Sequence, residues 1–179
     1  MVGKCLMALQ RWIVMGLIVC NCLGTAAALP TLGQRVPDFE IRTVDGQHFK
    51  PRDLLEQVVV INFWASWCEP CRQELAELER YRQQHAERTL RIILVSLDSA
   101  QDQAIAGQLS QGFHGDKAFA SDSHVNGFGR ITTLPRAYVL DGSGTLSFVL
   151  TPRNSNRGWT VELLEHHITP LLVSQASRP

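Results

Sequence analysis

The hydrophobic and polar positions of the chain alternate between short apolar runs and segments of helical period. Residues 58–64, with the sequence VVVINFW, and residues 91–97, with the sequence RIILVSL, are apolar runs rich in β-branched side chains. Such runs are typical of strands buried on both faces of a sheet. Between them, Leu75, Leu78 and Tyr81 recur at helical spacing. The pattern therefore predicts a strand, a helix and a second strand, joined by a right-handed crossover.

The remaining segments predict an N-terminal hairpin, a second helix, a loop, a C-terminal hairpin and a closing helix. Both hairpins have an Asp-Gly turn signal between apolar runs. In chain order, these segments are residues 39–49 (strand 39–44, turn Asp45-Gly46, then His48-Phe49), 102–109, 111–116, 137–150 with the turn Asp141 to Gly144, and 161–168, ending near Pro170. A strand–helix–strand unit followed by a hairpin and a helix predicts an α/β sandwich with a mixed central sheet.

The N-terminal segment, residues 1–28, has a different composition from the rest of the chain. It contains Lys4 and Arg11, no acidic residue, an apolar middle and a run of small residues at its end. This order is typical of a secretory signal peptide, whose removal leaves residues 29–179 as one domain. An uncleaved membrane anchor is the alternative, although Asn21 interrupts an apolar run that needs about 20 residues to span a bilayer. Both interpretations export the domain to a periplasmic or other extracytoplasmic compartment.

Composition and charge narrow the class of protein. The chain is 45% hydrophobic, which excludes a disordered chain, and its 17 basic residues balance its 17 acidic ones. The chain therefore has no excess of positive charge of the kind that binds nucleic acid. Of the five cysteines, three lie in residues 1–28, so the domain keeps only Cys68 and Cys71. An exported domain with one close pair of cysteines is not a scaffold of several disulfides.

The pair Cys68-Glu69-Pro70-Cys71 lies between a predicted buried strand and a predicted helix start. Unpaired N–H groups and the helix dipole at such a position favour an anion, and therefore the nucleophilic thiolate. Pro70 suits the first helical position, where a missing N–H costs little. We predict Cys68 as the attacking nucleophile and Cys71 as the thiol that resolves a mixed disulfide.

Two other interpretations of the cysteine pair remain open at this point. The pair could be half of a zinc site, but the adjacent histidines His166 and His167 would point in different directions on a helix. It could also be a purely structural disulfide, although a bridge that closes so small a loop constrains the chain little. We expect neither a metal nor a cofactor.

The pattern W-x-x-W-C-x-P-C at residues 64–71 is highly specific. Weaker matching stretches follow along the chain: Pro37-Asp38-Phe39, Asp45-Gly46, Val95-Ser96-Leu97-Asp98, Leu134-Pro135 and Val139 to Gly144. With these motifs the sequence resembles the thioredoxin superfamily, and within it the exported TlpA/ResA-like thiol-disulfide oxidoreductases. The resemblance covers nearly all of residues 29–179. It implies a thioredoxin-like three-layer sandwich with a mixed central sheet and an N-terminal β extension.

The resemblance also implies roles for single residues. Pro135 aligns with the cis-proline that faces the dithiol, and the backbone of Leu134 would pair with an extended substrate segment. Trp67 is a further candidate for substrate binding, beside a packing role that it would share with Trp64. Glu74 aligns with a glutamate that tunes thiol ionisation and could accept the proton of the resolving thiol. The alternative for Glu74 is a solvated acid in the first helical turn.

Two departures from thioredoxin affect the expected proton chemistry. Asn62 stands where thioredoxin has a buried aspartate, which makes Glu74 the better candidate for proton acceptor. Glu69 stands where thioredoxin has glycine, and its charge should raise the pKa of Cys68 against the helix dipole.

The resemblance implies an enzyme that exchanges disulfides with other proteins, most often as a reductase in processes such as cytochrome c maturation. A membrane electron donor would recharge it, and we expect a monomer that binds no nucleic acid. A disulfide oxidase or isomerase is the nearest alternative. A peroxiredoxin-type peroxidase and a copper chaperone, with His124 as a third ligand, are alternatives from other classes.

Overall fold

A computed structural model of the chain describes residues 29–86 and 89–176. The predicted signal peptide or anchor at residues 1–28 lies outside these described residues and stays a prediction. Across the two described ranges, no helix is both long enough and apolar enough to cross a membrane.

Within the described residues, seven strands form a two-stranded hairpin and a five-stranded sheet. In chain order they are β1 (Ile41–Arg42), β2 (His48–Phe49), β3 (Val58–Trp64), β4 (Leu90–Ser96), β5 (Asp116–Phe119), β6 (Arg136–Leu140) and β7 (Leu146–Leu150). The large sheet has the order β5-β4-β3-β6-β7. Strand β4 runs parallel to β3 and β5, whereas β6 runs antiparallel to β3 and β7. The sheet is therefore mixed, as predicted.

In the part of the chain that the structure describes, four α-helices accompany the strands. They are α1 (Glu69–Gln84), α2 (Gln103–Leu109), α3 (Val161–His167) and α4 (Thr169–Ala176). One face of the sheet packs against side chains of all four helices. The other face is covered by the N-terminal hairpin β1–β2 and by 3-10 turns at Pro51–Leu54 and Asn126–Phe128. These three layers confirm the predicted sandwich and its N-terminal β extension.

Strand β3 is the centre of the sheet, and every one of its residues is buried. Alternate side chains enter the two cores, with Val60 and Trp64 on the helical side and Ile61 and Phe63 on the hairpin side. The run of apolar residues predicted this strand with its observed bounds. Asn62 is the exception in chemistry, because it is a buried amide in the middle of an apolar strand.

The sequence analysis missed two elements. Residues 111–115 form the predicted loop, but the strand that follows it, β5 from Asp116, was not predicted. The predicted closing helix is observed as α3 and ends at His167, but a further helix, α4, begins at Thr169 with Pro170 in its first turn. A proline in the first turn removes an N–H that has no partner within the helix, so it can begin a helix as readily as follow one.

The sheet brings two distant segments to one edge. Strand β3 ends at Trp64, and the chain then enters α1 through residues 65–68, which we call the cysteine loop. Strand β6 pairs with β3 up to the pair Phe63 and Arg136. Leu134 and Pro135 precede that pair, so they lie at the edge where the cysteine loop begins.

Candidate active site

The two cysteines form a disulfide at the amino end of α1. Cys68 is the N-cap residue of the helix, and its carbonyl accepts the first-turn hydrogen bond from the N–H of Arg72. Cys71 lies one turn further in and is fully buried, whereas Cys68 is 6% exposed. The predicted placement of the pair between a buried strand and a helix start is therefore confirmed. Pro70 occupies the second helical position, one later than predicted, because the helix begins at Glu69.

The two tryptophans before the cysteines differ sharply in exposure. Trp64 is 2% exposed and packs in the helical core, which confirms its packing role. Trp67 is 69% exposed, so the prediction that it also serves packing was wrong. An indole held in solvent next to Cys68 is a surface that an approaching protein can cover.

The peptide bond between Leu134 and Pro135 is cis, as the resemblance implied. Leu134 is half-buried and packs against the core cluster that contains both cysteines. The segment before it carries the exposed threonines Thr132 and Thr133. The sequence-predicted residues Trp67, Cys68, Cys71, Leu134 and Pro135 thus share one edge of the sheet.

Glu74 is a buried carboxylate on α1, and its exposed fraction is only 1%. Its Oε1 accepts a hydrogen bond from Nδ2 of Asn62 at 2.9 Å, and its Oε2 accepts one from the backbone N–H of Trp159 at 2.8 Å. The indole Nε1 of Trp159 donates to Oδ1 of Asn62 at 3.1 Å and closes the network. The interpretation of Glu74 as a solvated acid is therefore wrong.

Burial raises the pKa of Glu74 to about 7, and the hydrogen bonds from Asn62 and Trp159 only partly oppose this shift. Burial acts in this direction because a low-dielectric surrounding disfavours the charged form of a carboxyl group. A carboxyl with this pKa changes its protonation near neutral pH, which suits a group that accepts and releases protons.

Gly158 and Trp159 belong to this network, although no sequence pattern indicated it. Gly158 has a φ of 76°, which lies in the left-handed region, and a Cβ at this position would collide with Oε2 of Glu74. The glycine therefore lets the backbone approach the carboxylate closely enough for the N–H of Trp159 to donate. Both residues lie more than eighty positions after Glu74 in the chain, so no local spacing connects them.

The variant Gly158→Ala is expected to be strongly destabilised. It combines about 1 kcal/mol of left-handed backbone strain with the loss of one or more buried hydrogen bonds to Glu74, for a total of about 2–4 kcal/mol. Urea unfolding of the variant and the parent protein measures the difference. Gly33→Ala is the matched control, because Gly33 has a φ of 77° and open space around its Cβ position. Equal losses in the two variants would show that contact with Glu74 contributes nothing.

Asp98 ends the weak motif Val95-Ser96-Leu97-Asp98 and lies against the cysteine loop. Its carboxylate is 3% exposed and accepts hydrogen bonds from the backbone N–H of Ser66 at 2.9 Å and from its hydroxyl at 2.6 Å. The hydroxyl of Ser96 donates to it as well, at 2.7 Å. The only sequence signal was an acidic residue directly after a buried strand.

The charge of Glu69, between the two cysteines, is paired. Arg72 forms a salt bridge with it one turn along α1, and the side-chain amide of Gln73 donates to it at 3.1 Å. All three side chains are exposed. The charge of Arg72 therefore offsets the charge of Glu69 at this exposed position.

No group of three or more histidine, cysteine, aspartate or glutamate side chains is placed to hold a metal ion within residues 29–86 and 89–176. The ring of His167 stacks on Phe148 at 3.7 Å between centroids, and the ring of His166 meets His167 edge-on. His124 is exposed and pairs through its backbone with Glu40. The zinc and copper interpretations therefore find no ligand set among these residues.

Residues 32–149 match the family model described as the AhpC/TSA family. The chain belongs to the AhpC/TSA family. This family member is 30% identical over 119 residues to the thioredoxin-like protein YneN of Bacillus subtilis, an alignment that spans 64% of this chain and 68% of YneN. It is 25% identical over 114 residues to the thiol-disulfide oxidoreductase ResA of Bacillus anthracis, spanning 63% of this chain and 65% of ResA. About a third of each relative thus lies outside the match.

Solved structures show the fold of this AhpC/TSA family member. A thiol:disulfide interchange protein of the thioredoxin family from Chlorobium tepidum superposes with a TM-score of 0.65 at 23% identity, covering 79% of this chain and 98% of that one. StoA from Bacillus subtilis superposes with a TM-score of 0.58 at 21% identity, covering 72% and 94% of the two chains. The predicted thioredoxin-like fold is confirmed. The predicted resemblance to ResA-like thiol-disulfide oxidoreductases is confirmed as well.

Proposed function

We propose that this protein exchanges disulfides with protein substrates outside the cytoplasm and acts as a reductase, for example in cytochrome c maturation. The observation that carries the proposal is the cysteine pair at the amino end of α1. Cys68 caps the helix at the edge of the sheet, and Cys71 is fully buried behind it. Two cysteines with such unequal access suit an attacking and a resolving role.

The proposed reaction has two exchange steps. The Cys68 thiolate attacks one sulfur of a substrate disulfide, forming a mixed disulfide and releasing the other substrate sulfur as a thiolate that takes up a proton. The Cys71 thiol loses its proton and attacks the sulfur of Cys68, which forms the Cys68–Cys71 disulfide and releases the second substrate thiol. The substrate gains two electrons and two protons, and the protein is left in the disulfide form that the structure contains.

The surface beside Cys68 supports a substrate that is itself a protein. Trp67 offers an exposed indole, and Leu134 and Pro135 offer an edge of backbone next to it. An extended substrate segment can pair with the backbone of Leu134 while its disulfide reaches Cys68. Trp67 would then cover the substrate from the opposite side.

Glu74 is proposed as the acceptor of the Cys71 proton. The two side chains are three positions apart on α1, which places them on one face of the helix, and both are buried. A pKa of about 7 lets the carboxylate take up a proton at neutral pH and release it again. A pocket of about 390 Å³ lies beside Glu74, lined in part by Glu77, Arg80 and Arg157, and gives that proton a polar route to solvent.

Turnover of a reductase requires a source of electrons after each cycle. We propose that a membrane protein donates them by reducing the Cys68–Cys71 disulfide, and that the N-terminal segment directs the domain across the membrane as a signal peptide or an anchor. The domain is proposed to act as a monomer. Whether the domain reduces or oxidises its partner proteins depends on the reduction potential of the Cys68–Cys71 pair compared with the potentials of their disulfides.

A redox titration against glutathione tests the direction. Dithiols of this superfamily have potentials between about −270 and −120 mV, and we expect a value in the reducing half of that range. The fraction of disulfide at each glutathione ratio is measured by acid quenching, alkylation of free thiols and mass spectrometry. A potential near about −120 mV would contradict the reductase and favour the oxidase alternative.

A peroxidase is the second candidate, because the matching family model covers residues 32–149 under the description AhpC/TSA. Against it, the domain has no cysteine apart from Cys68 and Cys71. A peroxide-consumption assay with the reduced protein separates the two functions. Turnover of peroxide faster than exchange with a protein disulfide would favour the peroxidase.

A further inference from the structure

The carboxylate of Asp98 holds the cysteine loop through hydrogen bonds from Ser66. Strand β4 ends at Ser96, and Asp98 follows two residues later at the edge from which the cysteine loop begins. Its carboxylate accepts hydrogen bonds from the N–H and the hydroxyl of Ser66 and from the hydroxyl of Ser96. The N–H of Asp98 in turn donates to the hydroxyl of Ser96 at 3.0 Å, which fixes the orientation of the acid.

Hydrogen bonds hold the cysteine loop at both ends and within it. Directly before the loop, the carbonyl of Trp64 accepts from the N–H of Leu97 at 2.8 Å. Within the loop, the N–H of Cys68 donates to the carbonyl of Ala65 at 3.0 Å, and at its end the carbonyl of Cys68 accepts from the N–H of Arg72 at 3.1 Å. Compared with these backbone contacts, the bonds from Ser66 to Asp98 are the ones that use a charged group. Hydrogen bonds to charged groups are stronger than those between neutral groups.

The hydrogen bonds of Asp98 explain why an acid occupies this position. No salt bridge joins Asp98 to a lysine, arginine or histidine among the residues that the structure describes, so neutral donors alone surround the carboxylate. A carboxylate offers two acceptor oxygens, whereas an asparagine would present an N–H₂ group to donors that are already facing it. The site is therefore built to keep an acceptor-only group under the loop.

We propose that Asp98 is a positioning residue that holds Cys68 at the helix start and thereby favours the disulfide over the dithiol. In the dithiol, no covalent bond orders the loop, so its position depends on these hydrogen bonds. A loop that is already ordered loses less conformational freedom when the disulfide forms. This inference rests on the proposed redox role of the cysteine pair.

The test is the equilibrium of the full-length protein with glutathione. Two glutathione thiols are oxidised to glutathione disulfide as the Cys68–Cys71 bond is reduced to two thiols. In Asp98→Asn we expect the equilibrium constant for forming the protein disulfide to fall about tenfold, the factor that one hydrogen bond to a charged group supplies. For this two-electron couple, tenfold corresponds to a potential about 30 mV less negative.

Two further variants separate positioning from other effects. Ser66→Ala removes one donor and keeps the charge of Asp98, so we expect a fall of about threefold, and it decides the question if Asp98→Asn does not fold. Glu79→Gln is the matched control, because Glu79 is a buried carboxylate on α1 that accepts from Arg82, Gln83 and His114, with no contact to the cysteine loop. We expect no change in its equilibrium constant.

Each other result overturns the inference in a distinct way. If Asp98→Asn and Ser66→Ala both have the equilibrium constant of the wild-type protein, the cysteine loop does not need the hydrogen bonds of Asp98. A shift in Asp98→Asn alone, together with a lower pKa of Cys68 measured by alkylation, means that only the charge acts. An equal shift in Glu79→Gln means general destabilisation. A wild-type disulfide that does not equilibrate with glutathione at all would instead refute the proposed function, and this inference with it.

Discussion

The variant Cys71→Ser is expected to accumulate a mixed disulfide with its protein substrate, and Cys68→Ser is expected to accumulate none. Without the resolving thiol, the bond between Cys68 and the substrate has no internal attacker and persists. Without Cys68, the remaining thiol at position 71 is fully buried and does not meet a substrate disulfide. Multi-turnover reduction of a protein disulfide should fall to the uncatalysed rate in both variants.

Non-reducing electrophoresis followed by mass spectrometry measures the trapped species. Because three other cysteines lie in residues 1–28, the cross-linked peptide must be identified as the one that contains position 68. The double variant Cys68→Ser/Cys71→Ser serves as the control for adventitious cross-linking. Equal trapping by the two single variants would reverse or abolish the assigned roles.

The variant Glu74→Gln is expected to remove a large pH dependence of stability. The pKa of Glu74 is about 7 in the folded protein and near its ordinary value of 4.5 in the unfolded chain. Between these values the unfolded chain binds fewer protons, so the free energy of unfolding of the parent protein falls as pH rises from about 4.5 to about 7. A pKa shift of this size lowers the free energy of unfolding of the parent protein by about 3 kcal/mol across this pH range. The glutamine variant should not show this fall, because its side chain does not ionise.

Urea unfolding at pH 4.5 and pH 8 measures this difference between the parent protein and Glu74→Gln. Glu77→Gln is the control, since Glu77 is a partly exposed glutamate on the same helix that pairs with Arg80. Its stability should follow the parent protein at both pH values. An equal change in the free energy of unfolding between the two pH values for Glu74→Gln and the parent protein would mean that burial does not raise the pKa of Glu74.

The same variant tests the proposed proton transfer. If Glu74 accepts the proton of Cys71, its replacement by glutamine should change the pKa of at least one thiol, measured in the reduced protein by the pH dependence of alkylation. Unchanged pKa values for both thiols would remove the functional role and leave Glu74 as a structural acid.

Most of the fold could be predicted because its central elements carry strong local patterns. Strand β3 has seven apolar or buried positions in a row, and α1 has a proline start and apolar residues at helical spacing. Strand β5 has four residues, only one of which is fully buried, and its partner β4 lies twenty residues earlier. Its pairing depends on contacts distant in sequence, which periodicity does not record.

The candidate site divides in the same way. The cysteines and the cis-proline stand in motifs, so their positions could be read from the sequence. The state of Glu74 depends on Trp159 and Asn62, which reach it only after the chain has folded. The position of Glu74 on α1 is compatible with either an exposed or a buried side chain, and only the tertiary packing decides between the two.

The hydrogen bonds around Glu74 depend on residues that lie beyond the end of the family match. The family match stops at residue 149, inside β7, and a chain cut there would keep both cysteines and the cis-proline. It would lack Gly158 and Trp159, and with them the indole and the N–H that face Asn62 and Glu74. A fragment that keeps the hydrogen bonds of Glu74 to Asn62 and Trp159 must therefore extend beyond the family match into the C-terminal segment.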